Sequence, residues 1–117
     1  MAKNKIRVEL VTNGNLGRQS VSLENFRLAE NNEWEQEPPP YPIRAAMKVI
    51  FIVGAKTENK DAEVSFQVTG SFGTANITAF NRGGSCWADI HQDGGLTAEI
   101  DGRDSGNGKV VINIGSR

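Results

Sequence analysis

The sequence predicts an all-β fold, a single-domain antiparallel β-sandwich of about eight short strands over residues 1–117. Apolar and polar residues alternate over short stretches such as Ile6-Arg7-Val8-Glu9-Leu10 and Val64-Ser65-Phe66-Gln67-Val68, the period of a half-buried strand. Thirteen glycines, together with clusters of Asn, Asp and Ser, break the chain into many turns. No stretch sustains a helical period, and a hydrophobic fraction of 38% suits thin sheets with one wet face. A chain of 117 residues can bury one core but not two.

Taken in order, Ile6 to Val11 is the opening strand, and Asn13-Gly14-Asn15 is a turn able to take positive φ. A second strand runs from Val21 to Leu28. Val21 and Leu23 share one face but Phe26 and Leu28 have the opposite parity, so one extra residue is expected near Glu24-Asn25, a bulge. Arg27 to Glu37 is polar around Trp34 and reads as a loop whose glutamates form a solvated or partner-facing edge. Pro38, Pro39, Pro40 and Pro42 forbid helix and interior strand pairing and favour an extended turn.

The run Ala45 to Val53 is the most apolar of the chain and reads as a central strand, followed by a charged loop from Gly54 to Lys60. Val64 to Val68, Thr74 to Phe80, Cys86 to Ile90, Leu96 to Ile100 and Lys109 to Ile114 complete the set, separated by glycine-rich turns.

Thirteen basic against 14 acidic residues give a net charge of −1, which offers no field to draw in nucleic acid or an anionic membrane. Cys86 is alone, so no internal disulfide framework exists. The amino terminus, Met-Ala-Lys-Asn-Lys-Ile-Arg-Val, lacks an apolar core segment and reads as a strand rather than a signal peptide. Synthesis in the cytoplasm is expected, with any action at a target membrane following release by an unconventional route.

His91 is the single histidine, and Cys86 lies five residues before it with opposite facing parity. A packed thiol beside a surface imidazole is therefore expected, not a nucleophilic pair. The loop Asp101 to Gly108 lacks the ligand spacing of a calcium loop, and no cysteine cluster suits zinc. No enzymatic activity, cofactor or metal is expected. Trp34 and Trp87 each lie in a polar, turn-rich segment, so each either lids the sandwich or stands as an exposed aromatic tip for a membrane interface or a sugar face.

Several features occur together in order and spacing. They are the opening strand Ile6 to Val11, the strand Val21 to Leu28, Trp34 followed by Pro38 to Pro42, and Ile43 before the apolar run. Asp61-Ala-Glu-Val-Ser-Phe66, the loop Phe80-Asn-Arg-Gly-Gly-Ser85, and the ending Leu96 to Ile114 follow. In this the chain resembles the aegerolysin family, and within it the small component of bacterial binary insecticidal toxins. It departs from the family pattern at Val64, where a glycine is usual, in the loop that lacks its proline, and at Cys86, where an asparagine is usual.

The resemblance implies a β-sandwich that recognises membrane lipids and recruits a larger pore-forming partner protein. Its lipid site would lie on loops at one end, with aromatic positions matching Trp34 and the segment Asn81 to Trp87. The residues expected to engage a lipid or other ligand are Trp34, Tyr41, Asn81, Arg82 and Trp87, and the near-zero net charge points to neutral or sphingolipid-type lipids. A self-assembling structural subunit, a homo-oligomer built on exposed strand edges, and a carbohydrate-binding module are the alternatives.

Overall fold

A computed structural model of the chain describes residues 3–117. It contains ten strands: β1 (Lys5–Thr12), β2 (Ser20–Leu28), β3 (Asn32–Gln36), β4 (Ile43–Arg44), β5 (Lys48–Ala55), β6 (Ala62–Gly70), β7 (Gly73–Arg82), β8 (Ser85–Gly94), β9 (Leu96–Ile100) and β10 (Lys109–Ser116). They form two five-stranded sheets, ordered β3-β5-β1-β10-β9 and β4-β2-β6-β7-β8. The fold is a β-sandwich, as the alternation predicts. All pairings are antiparallel except β1 with β10, which run parallel in register from Arg7 opposite Lys109 to Thr12 opposite Ile114. A parallel pair needs a long connection, and here almost the whole chain supplies it, leaving the first and last strands side by side.

Period-2 side chains make the core. Ile6, Val8 and Leu10 of β1, Val49, Phe51 and Val53 of β5, and Val110, Ile112 and Ile114 of β10 face inward from the first sheet. Val64, Phe66 and Val68 of β6 and Ala75, Ile77 and Ala79 of β7 meet them from the second. The alanines of β7 let the two sheets approach where larger side chains fill the other side.

The bulge in β2 is present. The register with β6 shifts between Glu24 and Arg27, Asn25 sits at φ 55°, and Phe26 and Leu28 are thereby returned to the core.

Two strands lie where the sequence suggests loop. β3 occupies part of the stretch Arg27 to Glu37, because Asn31 at φ 66° closes a turn and the buried Asn32 is tied on both sides. Its Nδ2 donates to the carbonyls of Glu30 and Asp61, and its Oδ1 accepts from the Glu63 amide. Glutamates at alternate positions, Glu33 and Glu35, are the wet face of a strand whose dry face carries Trp34. β4 is only the pair Ile43–Arg44 at the end of the proline segment. The apolar run from Ala45 does not begin as strand: Ala46 takes φ 58° in a turn, and β5 starts at Lys48.

Candidate functional site

The register fixes where each expected site residue lies. Lys5 pairs with Gly54 and Val11 with Lys48, so the Lys5 end and the Thr12 end of the sandwich are opposite. Trp34 pairs with Val53 on edge strand β3 and points inward. Its ring meets Phe26 edge-on at 5.4 Å and Phe51 at 6.0 Å, and Phe26, Phe51 and Phe66 complete an aromatic cluster across the two sheets. Tyr41, 50% exposed, sits in the proline segment that crosses from one sheet to the other near Arg44. The Arg44 carbonyl bonds the Thr12 hydroxyl, which places Tyr41 at the Thr12 end.

Asn81, Arg82 and Trp87 lie at the other end, on the hairpin of β7 and β8. Asn81 is buried and structural: its Nδ2 donates to the Lys5 carbonyl and its Oδ1 accepts from the Gly84 amide in the hairpin turn. Gly83 and Gly84 supply the positive φ of that turn, 60° and 98°, which L side chains rarely adopt. Arg82 bonds Glu63 at 2.6 Å, which holds its guanidinium more firmly protonated, and that group lies 3.9 Å over the Phe80 ring. Trp87, 45% exposed, stands opposite Phe80 on the outer face. The five residues therefore form no single patch. Trp34 packs half-buried against the core, Tyr41 lies at the far end, and only Arg82 and Trp87 share an exposed surface.

That surface continues across the second sheet. The outward positions fall into cross-strand rows: Glu63–Phe80–Trp87, then Arg27–Ser65–Thr78–Asp89, then Gln67–Asn76–His91, then Thr69–Thr74–Asp93. The Ser65 and Thr78 hydroxyls bond at 2.9 Å, those of Thr69 and Thr74 at 3.1 Å, and Gln67 Nε2 donates to Asn76 Oδ1 at 2.8 Å. Asn25, lifted by the bulge, donates to Gln67. Between Asn25, Arg27, Asp89 and His91 these side chains floor an open basin of about 500 Å³. Of the residues on this face, the sequence offers only Arg82 and Trp87 as ligand-binding; it names His91 as a surface imidazole and Asn25 as part of a bulge. The available signal was that the polar positions of β6 and β7 are mostly Ser, Thr, Asn and Gln instead of Lys or Glu.

The outer face of the first sheet is organised differently. Glu9 is only 3% exposed although it points outward. Its carboxylate is met by Lys48 at 2.9 Å and by Arg7 and Lys109 at 3.5 Å, and it lies between Ile50 and Val111 on the flanking strands. Burial pushes the carboxyl up, but the Lys48 bond and the charges of Lys48, Lys109 and Arg7 outweigh it and hold Glu9 below the usual carboxylate range.

Cys86 and His91 face opposite sides of β8: Cys86 stands opposite buried Asn81, and its sulfur accepts the Gly108 amide at 3.2 Å, whereas His91 stands opposite exposed Asn76. The Asp101 carboxylate accepts from the Arg103 amide at 3.0 Å, closing the turn that leads from β9 to β10. Among the described residues no group of three or more His, Cys, Asp or Glu could hold a metal ion, and no helix is long and apolar enough to cross a membrane. Comparison with protein-family models gives no match, and comparison with curated proteins gives none.

Proposed function

We propose that this β-sandwich is a membrane-lipid recognition module, with its contact surface at the β7–β8 hairpin, and that it acts as the small component of a two-protein pore-forming toxin. The observation that carries the reading is Trp87, the one tryptophan presented outward, seated beside Phe80 and Arg82 where the resemblance to aegerolysins expects an aromatic in the lipid-binding segment. The sandwich architecture agrees with that resemblance. The larger partner protein is a corollary of the resemblance alone.

Magnitudes shape the mechanism. An indole half inserted into the interface removes roughly 100 Å² from water, about 2.5 kcal/mol at ~25 cal/mol/Å². A millimolar affinity already requires about 4 kcal/mol. Insertion of one indole therefore cannot hold the protein on a bilayer, and polar contacts to the lipid head must supply the remainder.

Flotation with phosphatidylcholine–cholesterol vesicles carrying a neutral sphingolipid, either sphingomyelin or glucosylceramide, tests the proposal. Binding is expected, little changed when phosphatidylserine is added because the net charge is −1, and lost in Trp87→Ala. Absence of binding to every lipid mixture, with the tryptophan emission unshifted, overturns it.

A further inference from the structure

We infer that the outer face of the second sheet is a binding surface for a neutral sugar and, resting on the membrane reading above, that the lipid recognised carries a glycosyl head. Three features of the face converge on that ligand chemistry.

The first is its functional groups. Sugars present hydroxyls that both donate and accept, and their best partners are side chains with the same double capacity or with fixed donor and acceptor pairs. This face is built of them, and they are ordered before any ligand arrives. The Ser65–Thr78 hydroxyl pair and the chain Asn25–Gln67–Asn76 hold one another in place, so little rotamer freedom is lost on binding. Each pair still keeps hydrogen-bonding capacity: Asn76 uses its Oδ1 on Gln67, leaving its Nδ2 donor for a ligand. Among the described residues, the side chains of Arg27, Asp89 and His91 at the rim have no hydrogen bond within the chain.

The second feature is the aromatic border. Trp87 and Asp89 are two residues apart on one strand and face the same way, roughly 7 Å apart. A ring resting its C–H face on the exposed indole would bring its hydroxyl edge within reach of Asp89 and Thr78. Apolar contact on one face and hydrogen bonds at the edge are the two halves of sugar recognition, and here they are adjacent.

The third is shape and charge. The basin is an open trough across four strands, roughly 14 Å wide at ~4.8 Å per strand step, which suits a chain of rings lying flat better than a compact anion. Within the basin Arg27 and Asp89 carry opposite charges, and at the Trp87 end Arg82 is paired with Glu63, while Glu24 and Asp93 add acidic groups to the same face, so the basin favours a neutral ligand over an anion.

The test combines two probes with four variants. Wild type is floated with phosphatidylcholine vesicles containing glucosylceramide or, in its place, ceramide, and is separately applied to an array of immobilised neutral oligosaccharides. The expected result is flotation with glucosylceramide and not with ceramide, together with array binding. Trp87→Ala is expected to weaken both by more than about tenfold, Asn76→Ala and Asp89→Ala by about fivefold each. Tyr41→Ala, at the opposite end, is expected to change neither.

Equal flotation with ceramide and glucosylceramide, unaffected by Asn76→Ala and Asp89→Ala, overturns the sugar site and leaves the membrane reading standing. Array binding with no flotation, here or with the sphingomyelin vesicles above, overturns the membrane reading and upholds the sugar site. No array binding and no flotation with any of these vesicles overturns both.

Discussion

The two sheets use their outer faces in opposite ways. On the first sheet the outward side chains engage one another. Glu9 lies under Lys48, Arg7 and Lys109, Lys5 reaches Glu35 at 3.0 Å, and Ile50, Ile52 and Val111 fill the ground between. On the second sheet Arg82 pairs with Glu63 at the hairpin end, the hydroxyl and amide groups are tied by neutral hydrogen bonds across the strands, and the rim stays open to solvent. The tryptophans follow the same division: Trp34 of the first sheet is locked into the aromatic cluster, and Trp87 of the second stands outside. A face whose polar groups are internally paired serves stability, while one whose groups are ordered but unsaturated is suited to a ligand.

The sharpest way to break this division is Trp34→Ala. It removes an indole that bridges Phe26 and Phe51 at the sandwich edge and leaves a void that the rigid strands cannot close. A loss of about 3 kcal/mol is expected in urea unfolding, seen as a lower midpoint with little change in slope. A loss below about 1 kcal/mol would mean that the indole is peripheral to the core and that the two tryptophans are alike.

Glu9→Gln is next. The depressed folded value means that the stability from Glu9 is complete above its unfolded value, about 4.3, and is lost as pH falls through the lower folded value. The variant is expected to be less stable by about 2 kcal/mol at neutral pH, the scale of hydrogen bonds to a buried charge, and the gap to wild type should close in acid. A gap that persists unchanged below that range would show that Glu9 contributes by packing, not charge.

How legible this was depends on the distance over which the information travels. The sandwich, the β2 bulge and most strands follow from parity within a few residues, and parity is local. Phe26 and Leu28 announce the bulge because they fall out of phase with Val21 and Leu23. β3 was hidden because its wet face carries glutamates in a segment with a single aromatic. What makes it a strand is pairing with β5, some twenty residues later, and the double anchoring of Asn32. The Glu9 cluster was invisible for the same reason, since Lys48 and Lys109 reach it only through the β1–β5 and β1–β10 registers. The polar basin was half legible. Alternation showed that Ser65, Gln67, Asn76 and Thr78 share a wet face, but only the register aligns them into rows, and only the chain's turns put Tyr41 at the other end from Trp87.

Gly54→Ala probes the first sheet more gently. A Cβ at this position would collide with the Glu35 carboxylate, which lies over the glycine to reach Lys5. The carboxylate must swing away and give up a largely exposed ion pair, so about 1 kcal/mol or less is expected. The loss should shrink in high salt, because screening already weakens the pair in wild type. A much larger and salt-independent loss would show that the backbone of β5 moves as well.

The smallest expected effect on stability is that of Trp87→Ala, and it is the other half of the comparison. The indole stands across from Phe80 in the strand register and lies beside Gly102, placements worth about 0.5 kcal/mol together. Wild type should show two emitting populations under acrylamide, one quenched readily and one protected. Trp87→Ala should retain the protected one alone, and Trp34→Phe the accessible one alone. If removal of Trp87 costs as much stability as removal of Trp34, the outer face of the second sheet is a structural surface after all. The indole would then be pinned by the Asp101–Gly108 turn instead of being held out for a ligand.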